Sequence, residues 1–426
     1  MFPNMRLRIG LFVLFFFVAA AAAAPSPTAG QSGAAAHVPT GAYCCMGYAN
    51  DTVDPHQIVP YVTWANTNRW GAQADRAAGV PYVIQYFDVS RVYVKDREYA
   101  LLSGGRLTAA RAVNCAGQPI ISSPPGFVAD PYKAETLDLI EDELRNVYNP
   151  VFTAYFMDDV DTMRYGITNG PPCGGNPPGP WTEPNSAEAY AKLIGAVRLD
   201  ADGRALTPKI VINGLSQYAD KPSMYLVPLQ LLTPQDVIGG MCEGCFGDNK
   251  PDKLKSGTEW QNDLDLEIRT IKMHKIFWDY VRYLGNDPQA RLFTFASFML
   301  AWDPQYSIYQ TAYQPESPGQ LHVTPETGIV ANEPLRPIEA IGQLRDPGGT
   351  YVREYRQCFY RSAAMGPCAF VVNSDAVPHA HPHLSPDYRN AVSVHGGMVL
   401  EGGTVSTRGT SAPDQIPPMS GWILTR

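Results

Sequence analysis

The sequence lacks the motifs that identify several large enzyme classes. No Gly-x-Gly-x-x-Gly and no Gly-x4-Gly-Lys-Ser/Thr segment follows an apolar run, so neither a dinucleotide site nor a P-loop is predicted. There is no Gly-x-Ser-x-Gly elbow for a serine hydrolase and no His-Glu-x-x-His for a zinc protease. The sequence therefore contains no motif of a nucleotide-binding protein, a serine hydrolase or a zinc protease.

Positive charge and long apolar runs are also scarce. The formal net charge is −8, which argues against nucleic acid or an anionic membrane surface as a partner and favours neutral or cationic ligands. The apolar run at 9–19 is shorter than the roughly 20 residues that a membrane span requires, and no later run is long enough. No membrane insertion is predicted.

The N-terminus has the pattern of an export signal. Arg6 and Arg8 precede the apolar run, and the alanines at 20–24 follow it. We therefore predict a signal peptide over 1–24, a flexible leader over 25–40, and a secreted or extracellular protein that is periplasmic if the cell is Gram-negative. The sequence does not indicate an oligomeric state.

Eight cysteines in an exported chain predict disulfides. Cys358 and Cys368 flank a hairpin-like segment, Cys115 and Cys173 lie in neighbouring loop regions, and Cys242 and Cys245 form a Cys-x-x-Cys around Glu243; the connectivity stays open. A Cys-x-x-Cys is also compatible with redox chemistry or zinc, although no second pair stands at metal-ligand spacing.

Short apolar runs alternate with segments of helical periodicity, a pattern typical of βα units and a parallel sheet. The helical segments include one with Leu137, Ile140 and Leu144 on one face, one with Tyr190 and Ile194 after a cap at 185–186, and a long one over 263–284. The predicted strands are 41–47, 82–87, 118–121, 151–157, 209–212, 237–241, 291–298 and 368–372.

Eight strands interleaved with helices favour the α/β class, as a (β/α)8 TIM barrel, over an open doubly wound sheet. The predicted catalytic barrel spans 41–375, and 376–426 form a short irregular or β-rich C-terminal extension. In a TIM barrel the active site lies at the carboxyl ends of the strands, so polar residues there are candidates for substrate contacts. They are Asp88, Asp158, Asp159, Asn213, Glu243, Ser297 and Asn373.

The acidic run 158–161 follows the predicted fourth strand, and Glu243 follows the sixth. Glycoside hydrolysis needs two such carboxyl groups, one to protonate the leaving oxygen and one to attack or to activate water. Alternation along the strand places Phe156 and Asp158 on the inward face and leaves Asp159 to orient its neighbour or to touch substrate. A helix N-cap or a calcium-binding loop is the alternative for the acidic run, with Asp161 as a further calcium ligand.

The segment Phe156-Met-Asp-Asp-Val-Asp161, after Asp130-Pro131 and its helix, resembles the fourth-strand motif of secreted (β/α)8 glycoside hydrolase-like proteins. These are the hypothetical glycoside hydrolase family fifteen and its polygalactosaminidase-like relatives. The resemblance covers most of 41–375 and implies Asp158 as nucleophile or base and Glu243 as general acid. The two cysteines around Glu243 depart from that pattern.

The sequence thus predicts hydrolysis of a polysaccharide or oligosaccharide, with no cofactor and no metal; the alternative is a barrel that binds glycan without cutting it. Tyr86 and Trp302 are the aromatic candidates for stacking on sugar. The histidines at 379–383 alternate and could hold a metal, although a solvated loop fits their position better. The sugar, the linkage, endo or exo action, and retention or inversion stay open.

Overall fold

The structure is a computed structural model. It describes residues 44–46, 56, 64–67, 71–80, 82–88, 90–93, 105–122, 125–160, 167–201, 204–215, 220–247, 253–281, 287–311, 324–361, 363–384, 388–397 and 402–426. The predicted signal peptide and leader lie outside these residues, and so does Asp161. Within the described part of the chain, no helix is long and apolar enough to cross a membrane.

Eight strands form one parallel sheet in which chain order is also spatial order. The strands are β1 Cys44–Met46, β2 Trp64–Thr67, β3 Tyr82–Phe87, β4 Ala154–Met157, β5 Ile210–Asn213, β6 Val237–Glu243, β7 Ile276–Val281 and β8 Ser307–Thr311. The predicted parallel α/β sheet is confirmed. No hydrogen-bonded pairing joins β1 to β8 among the described residues, so closure into a barrel stays a prediction.

Helices connect and cover these strands. They are α1 Ala72–Ala78, α2 Gly105–Ala110, α3 Ala134–Val147, α4 Glu183–Ala196, α5 Gly257–Lys272 and α6 Pro288–Met299, with 3₁₀ turns at Val227–Leu232, Pro325–Gly328 and Ile341–Leu344. The predicted apolar faces of α3 and α4 are confirmed, because Ile140, Leu144, Tyr190 and Ile194 are all buried. The cap of α4 is Thr182, three residues before the predicted position.

The parallel sheet curves around its own inner face. Phe156 on β4 and Trp278 on β7 have ring centroids 5.2 Å apart, although two strands lie between them in the sheet. In a flat sheet with strands about 4.8 Å apart, that separation would be about 14 Å. The contact therefore requires strong curvature, and the side chains of this inner face form a cluster separate from the one beneath the helices.

The C-terminal part of the chain forms a second, antiparallel sheet of six strands. They are β9 Ile329–Pro334, β10 Tyr351–Tyr360, β11 Ala363–Asn373, β12 Asn390–His395, β13 Thr404–Ser411 and β14 Ser420–Thr425, in the order β9-β10-β11-β14-β12-β13. Helix α6 packs against β14 so closely that a Cβ on Gly421 would lie 2.5 Å from the Leu292 carbonyl oxygen. Only glycine fits there.

Short two- and three-stranded pieces complete the secondary structure. Arg91–Tyr93 pairs with Gly126–Val128, Leu199–Ala201 with Arg204–Leu206, and His379–Ala380 with Gln415–Ile416, while Val113–Asn114, Pro172–Gly174 and Gly179–Pro180 form one ribbon. Disulfides join Cys115 to Cys173, Cys242 to Cys245, and Cys358 to Cys368. These are the pairs that the sequence groups together.

Two predicted elements have the wrong type. The predicted strand at 291–298 is helix α6, whose residues from Ala290 to Met299 are all buried, so its apolar side chains show no helical periodicity. The predicted helix over 263–284 is α5 followed by strand β7, with the break at His274, which has a φ of 55°. Strand β7 is buried at every position, and an unbroken apolar run cannot be assigned to helix or strand from periodicity alone.

Two further predicted strands do not belong to the parallel sheet. The segment 118–121 makes only an isolated bridge from Pro119 to Val113, and 368–372 lies in β11 of the antiparallel sheet. Strands β2 and β8 were not predicted. One false strand and one missed strand both precede Asp158, and for this reason the predicted positions of Asp158 after the fourth strand and Glu243 at the sixth are correct.

Candidate active site

Four polar side chains meet at the carboxyl ends of four consecutive strands of the parallel sheet. Tyr86 comes from β3, Asp158 directly follows β4, and Asn213 and Glu243 end β5 and β6. Asn213 is 9% exposed, and the other three side chains are partly buried. The group therefore lies where the interior of the sheet meets its rim.

Strand alternation explains why these side chains point to the same side. Phe156, Val211 and Met241 belong to the apolar cluster on the inner face of the sheet. Since side chains two residues apart on a strand point to the same face, Asp158, Asn213 and Glu243 extend from that face. The predicted inward orientation of Phe156 and Asp158 is confirmed.

The amide of Asn213 links the two carboxylates. Its Nδ2 atom donates to Asp158 Oδ1 at 2.7 Å and to Glu243 Oε2 at 2.8 Å. Because both oxygens contact one nitrogen, they lie within about 5.5 Å of each other, a separation that suits two carboxyl groups on either side of a glycosidic bond.

The Asp158 carboxylate accepts hydrogen bonds at both oxygens. Tyr86 Oη donates to Oδ2 at 2.7 Å, and the backbone amide of Asp159 donates to Oδ1 at 2.9 Å. Together with Asn213, these donors fix the plane of the carboxylate. An oriented carboxylate at the rim of the sheet can attack an electrophilic carbon or accept a proton from water.

The backbone under Asp158 is also held, by Ser90, a residue that no sequence pattern indicates. Ser90 Oγ contacts the carbonyl oxygens of Asp158 and Asp159 at 2.9 and 2.8 Å. Asp159 has a φ of 52°, in the left-handed region that aspartate tolerates better than most residues. Ser90 lies outside the strand-end positions, so only the fold places it beside the site.

Of the other candidates from the sequence, Asp159 adjoins the site and Asp88 directly follows β3 next to it, whereas Ser297, Trp302 and Asn373 contact other parts of the protein. Asp88 caps a turn by accepting from the Arg91 amide. Ser297 lies in α6, bonded to Trp260 and Phe293; Trp302 donates to the Ala331 carbonyl; and Asn373 binds the carbonyls of Val377, Ile416 and Pro417. The structure does not bring Ser297, Trp302 and Asn373 together with Asp158 and Glu243.

One group in the described part of the chain has metal-ligand spacing. The ligand atoms of Cys242, Cys245 and Asp263 lie within 4.8 Å of one another, but the two sulfurs are joined in a disulfide and do not offer thiolates. The histidines at 379–383 do not converge either, because His379 contacts Asp375, His383 contacts Asp346, and His381 contacts the Pro413 carbonyl.

Comparison with known proteins gave no sequence relative: no family model and no curated protein matches the chain. Among solved structures, it is similar to Aspergillus fumigatus Ega3 in complex with galactosamine, with a TM-score of 0.36 and 11% identity over 65% of this chain and 92% of that one. The glycoside hydrolase domain of PelA from Pseudomonas aeruginosa gives a TM-score of 0.39 and 11% identity over 64% and 93%.

A debranching enzyme from Nostoc punctiforme covers more of the chain. Its TM-score is 0.39 at 9% identity, over 91% of this chain and 98% of that one. Similarity at this level does not transfer an activity or a substrate, and what the chain does has to follow from its own side chains.

Proposed function

We propose that the protein is a glycoside hydrolase that cleaves glycosidic bonds of a polysaccharide with Asp158 and Glu243. The observation that supports this most directly is the Asn213 amide, which holds the two carboxylates on either side of one nitrogen. A pair of carboxyl groups at this spacing is the minimal apparatus for cleaving an acetal, and the reaction requires no cofactor.

The hydrogen bonds suggest which carboxyl group has which role. Asp158 accepts from Tyr86, Asn213 and the Asp159 amide, which suits an ionised group that attacks the anomeric carbon. Glu243 is then the group that protonates the leaving oxygen and later removes a proton from the incoming water. Occupation of both Asp158 oxygens by these donors argues against the calcium-loop alternative.

The spacing supports retention of anomeric configuration. Retaining enzymes hold their carboxyl groups about 5–5.5 Å apart, whereas inverting enzymes leave about 6.5–9.5 Å to admit a water molecule. The two oxygens that contact Asn213 are at most about 5.5 Å apart, below the lower limit of the inverting class, and this favours retention. We propose that Asp158 forms a covalent glycosyl intermediate, and that the protein is exported and acts outside the cytoplasm.

The test is release of reducing sugar by residues 25–426 from neutral, uronic and amino-sugar polysaccharides. Asp158→Asn and Glu243→Gln should each abolish release, while Glu267→Gln, which changes a buried acid of α5, should retain it. NMR of the first product formed should show the anomer of the substrate. If the protein binds a polymer, cuts none, and binds equally well after both substitutions, it is a glycan-binding protein instead.

A further inference from the structure

Glu243 lies inside a four-residue ring closed by a disulfide. Cys242 and Cys245, on either side of Glu243 and Gly244, are joined across a Cα–Cα distance of 5.5 Å. The chain turns sharply here, with φ values of 84° at Gly244 and 58° at Phe246. A disulfide restricts the conformations open to the loop that it closes, so this turn has little freedom to move.

The disulfide lies behind Glu243 rather than beside it. Cys242, Cys245 and Phe246 are completely buried in the cluster between sheet and helices, on the opposite face of β6 from Glu243. The ring therefore holds the backbone on both sides of Glu243 and leaves the carboxylate free to face the inner side of the sheet.

Helix α5 holds the same turn through Asp263. The Asp263 Oδ2 atom accepts from the Phe246 amide and from Lys255 Nζ, both at 2.9 Å, and the Lys255 amide donates to the Phe246 carbonyl at 3.0 Å. Asp263 and Lys255 are 0% and 8% exposed. A charge-assisted bond shielded from water gives the turn a second fixed point.

Strand β7 supplies a third fixed point for the turn. The Gly244 amide donates to the Tyr280 carbonyl at 2.7 Å, and Glu243 is paired in register with Tyr280. The residue after Glu243 is thus bonded to the neighbouring strand, while the turn beyond it is bonded to the helix behind.

We infer that the Cys242–Cys245 disulfide and Asp263 are positioning elements that hold the Glu243 carboxyl group at its working distance from Asp158. The inference rests on the proposed function, because it concerns the acid of that reaction. A misplacement of about 1 Å at a catalytic group lowers rate by a factor of about 100. Loss of the ring is expected to slow the steps that need Glu243 as an acid.

Leaving-group dependence separates this role from a merely structural one. A phenyl glycoside needs protonation of its departing oxygen, whereas a 2,4-dinitrophenyl glycoside departs without it. The ratio of the two kcat/KM values does not depend on the amount of folded enzyme, since that amount cancels. The probes are both anomers of these two aryl glycosides for glucose, galactose, glucosamine and galactosamine.

Cys242→Ala/Cys245→Ala should lower kcat/KM for the phenyl glycoside about 100-fold and change that for the dinitrophenyl glycoside far less. Asp263→Asn should shift the ratio in the same direction by less. The matched control is Cys358→Ala/Cys368→Ala, which removes another buried disulfide from the antiparallel sheet and should leave the ratio unchanged.

An unchanged ratio in the Cys242→Ala/Cys245→Ala variant would overturn the inference, even if the variant melts at a lower temperature. Glu243→Gln provides the reference, because it should show the same selective loss to a greater degree. If Glu243→Gln slows both substrates equally, or if the unsubstituted protein cleaves neither these probes nor any polysaccharide of the panel above, the proposed function itself fails.

Discussion

The protein has two groups of acidic side chains, one at the ends of β4 and β6 and one in α5 and β7, which differ in burial and, for two of the buried acids, in hydrogen-bond donors. Asp158 and Glu243, the site acids, lie at the rim of the inner face and share the Asn213 amide. The buried acids lie in α5 and in β7 beneath it, and their side chains are fully buried; they are Asp263, Glu267 and Asp279. Within the described part of the chain, neither oxygen of Glu267 or Asp279 has a hydrogen-bond partner.

The physical consequence appears in the protonation of the buried acids. Burial raises the pKa of Glu267 and of Asp279 well above the ordinary range, and the neighbouring acids, Asp279 for Glu267 and Asp263 for Asp279, raise it further. Arg353 acts in the opposite direction on Glu267, and Lys255 does so on Asp279. Burial without hydrogen-bond donors therefore favours the neutral form of Glu267 and Asp279.

The sharpest test exchanges acid for amide in both groups. Asp158→Asn should lower kcat/KM by a factor of about 1,000 or more, since it removes the attacking group, with little change in melting temperature. Glu267→Gln should leave kcat/KM within about 3-fold of the original, because Glu267 lies in α5 away from the site acids and the amide resembles the neutral carboxyl group that burial favours. Enzyme kinetics and melting curves on the same samples measure the two variants. A large loss of activity in Glu267→Gln would show that the two groups of acids do not differ in their contribution to activity.

A paired buried acid provides the contrast to the unpaired ones. Glu326 Oε1 accepts from Arg291 Nε at 2.9 Å, and the two side chains are 0% and 1% exposed. Glu326→Ala leaves a buried guanidinium without its counter-charge and should reduce the free energy of unfolding by about 3–5 kcal/mol. Urea unfolding measures this. Replacement of either residue of the exposed Lys192–Glu188 pair by alanine should lower the free energy of unfolding by less than about 1 kcal/mol.

Removal of the shared donor tests the geometry of the site acids. Asn213→Ala deletes the amide that bonds both carboxylates and should lower kcat/KM about 100-fold, because the two groups lose their common orientation. Asn213→Asp keeps the shape but adds a third acid and should be at least as damaging. Full activity in the Asn213→Ala variant would show that other contacts position the two carboxylates.

The remaining expected effect is the pH dependence of stability. Glu267 and Asp279 titrate at about pH 4 when unfolded but keep their protons to higher pH when folded, so the folded state binds more protons above pH 4. The free energy of unfolding should therefore fall as pH rises from about 4 toward the folded pKa values, by up to about 1.4 kcal/mol per pH unit for each group. Asp279→Asn should reduce this slope in urea titrations at several pH values.

Much of the site could be predicted, because strand ends are marked in the sequence. Tyr86, Asp158, Asn213 and Glu243 all belong to the parallel strands whose apolar runs were correctly assigned. Ser297 is not at a strand end, because the apolar segment that predicts a strand at 291–298 is the buried helix α6. Ser90 and Asp263 were not found, since each acts through a contact with a residue distant in sequence.

The sequence by itself determined the parallel α/β pattern, the grouping of six cysteines into three neighbouring pairs and the strand ends that carry Asp158 and Glu243, because these depend on local apolar runs and on the types of residue that follow them. Only the tertiary structure decided that Asn213 joins the two carboxylates, that α6 is a helix enclosed between two sheets, and that three further acids are buried. These features arise from side chains that meet through the fold. An apolar run in the sequence does not indicate which residues it will pack against.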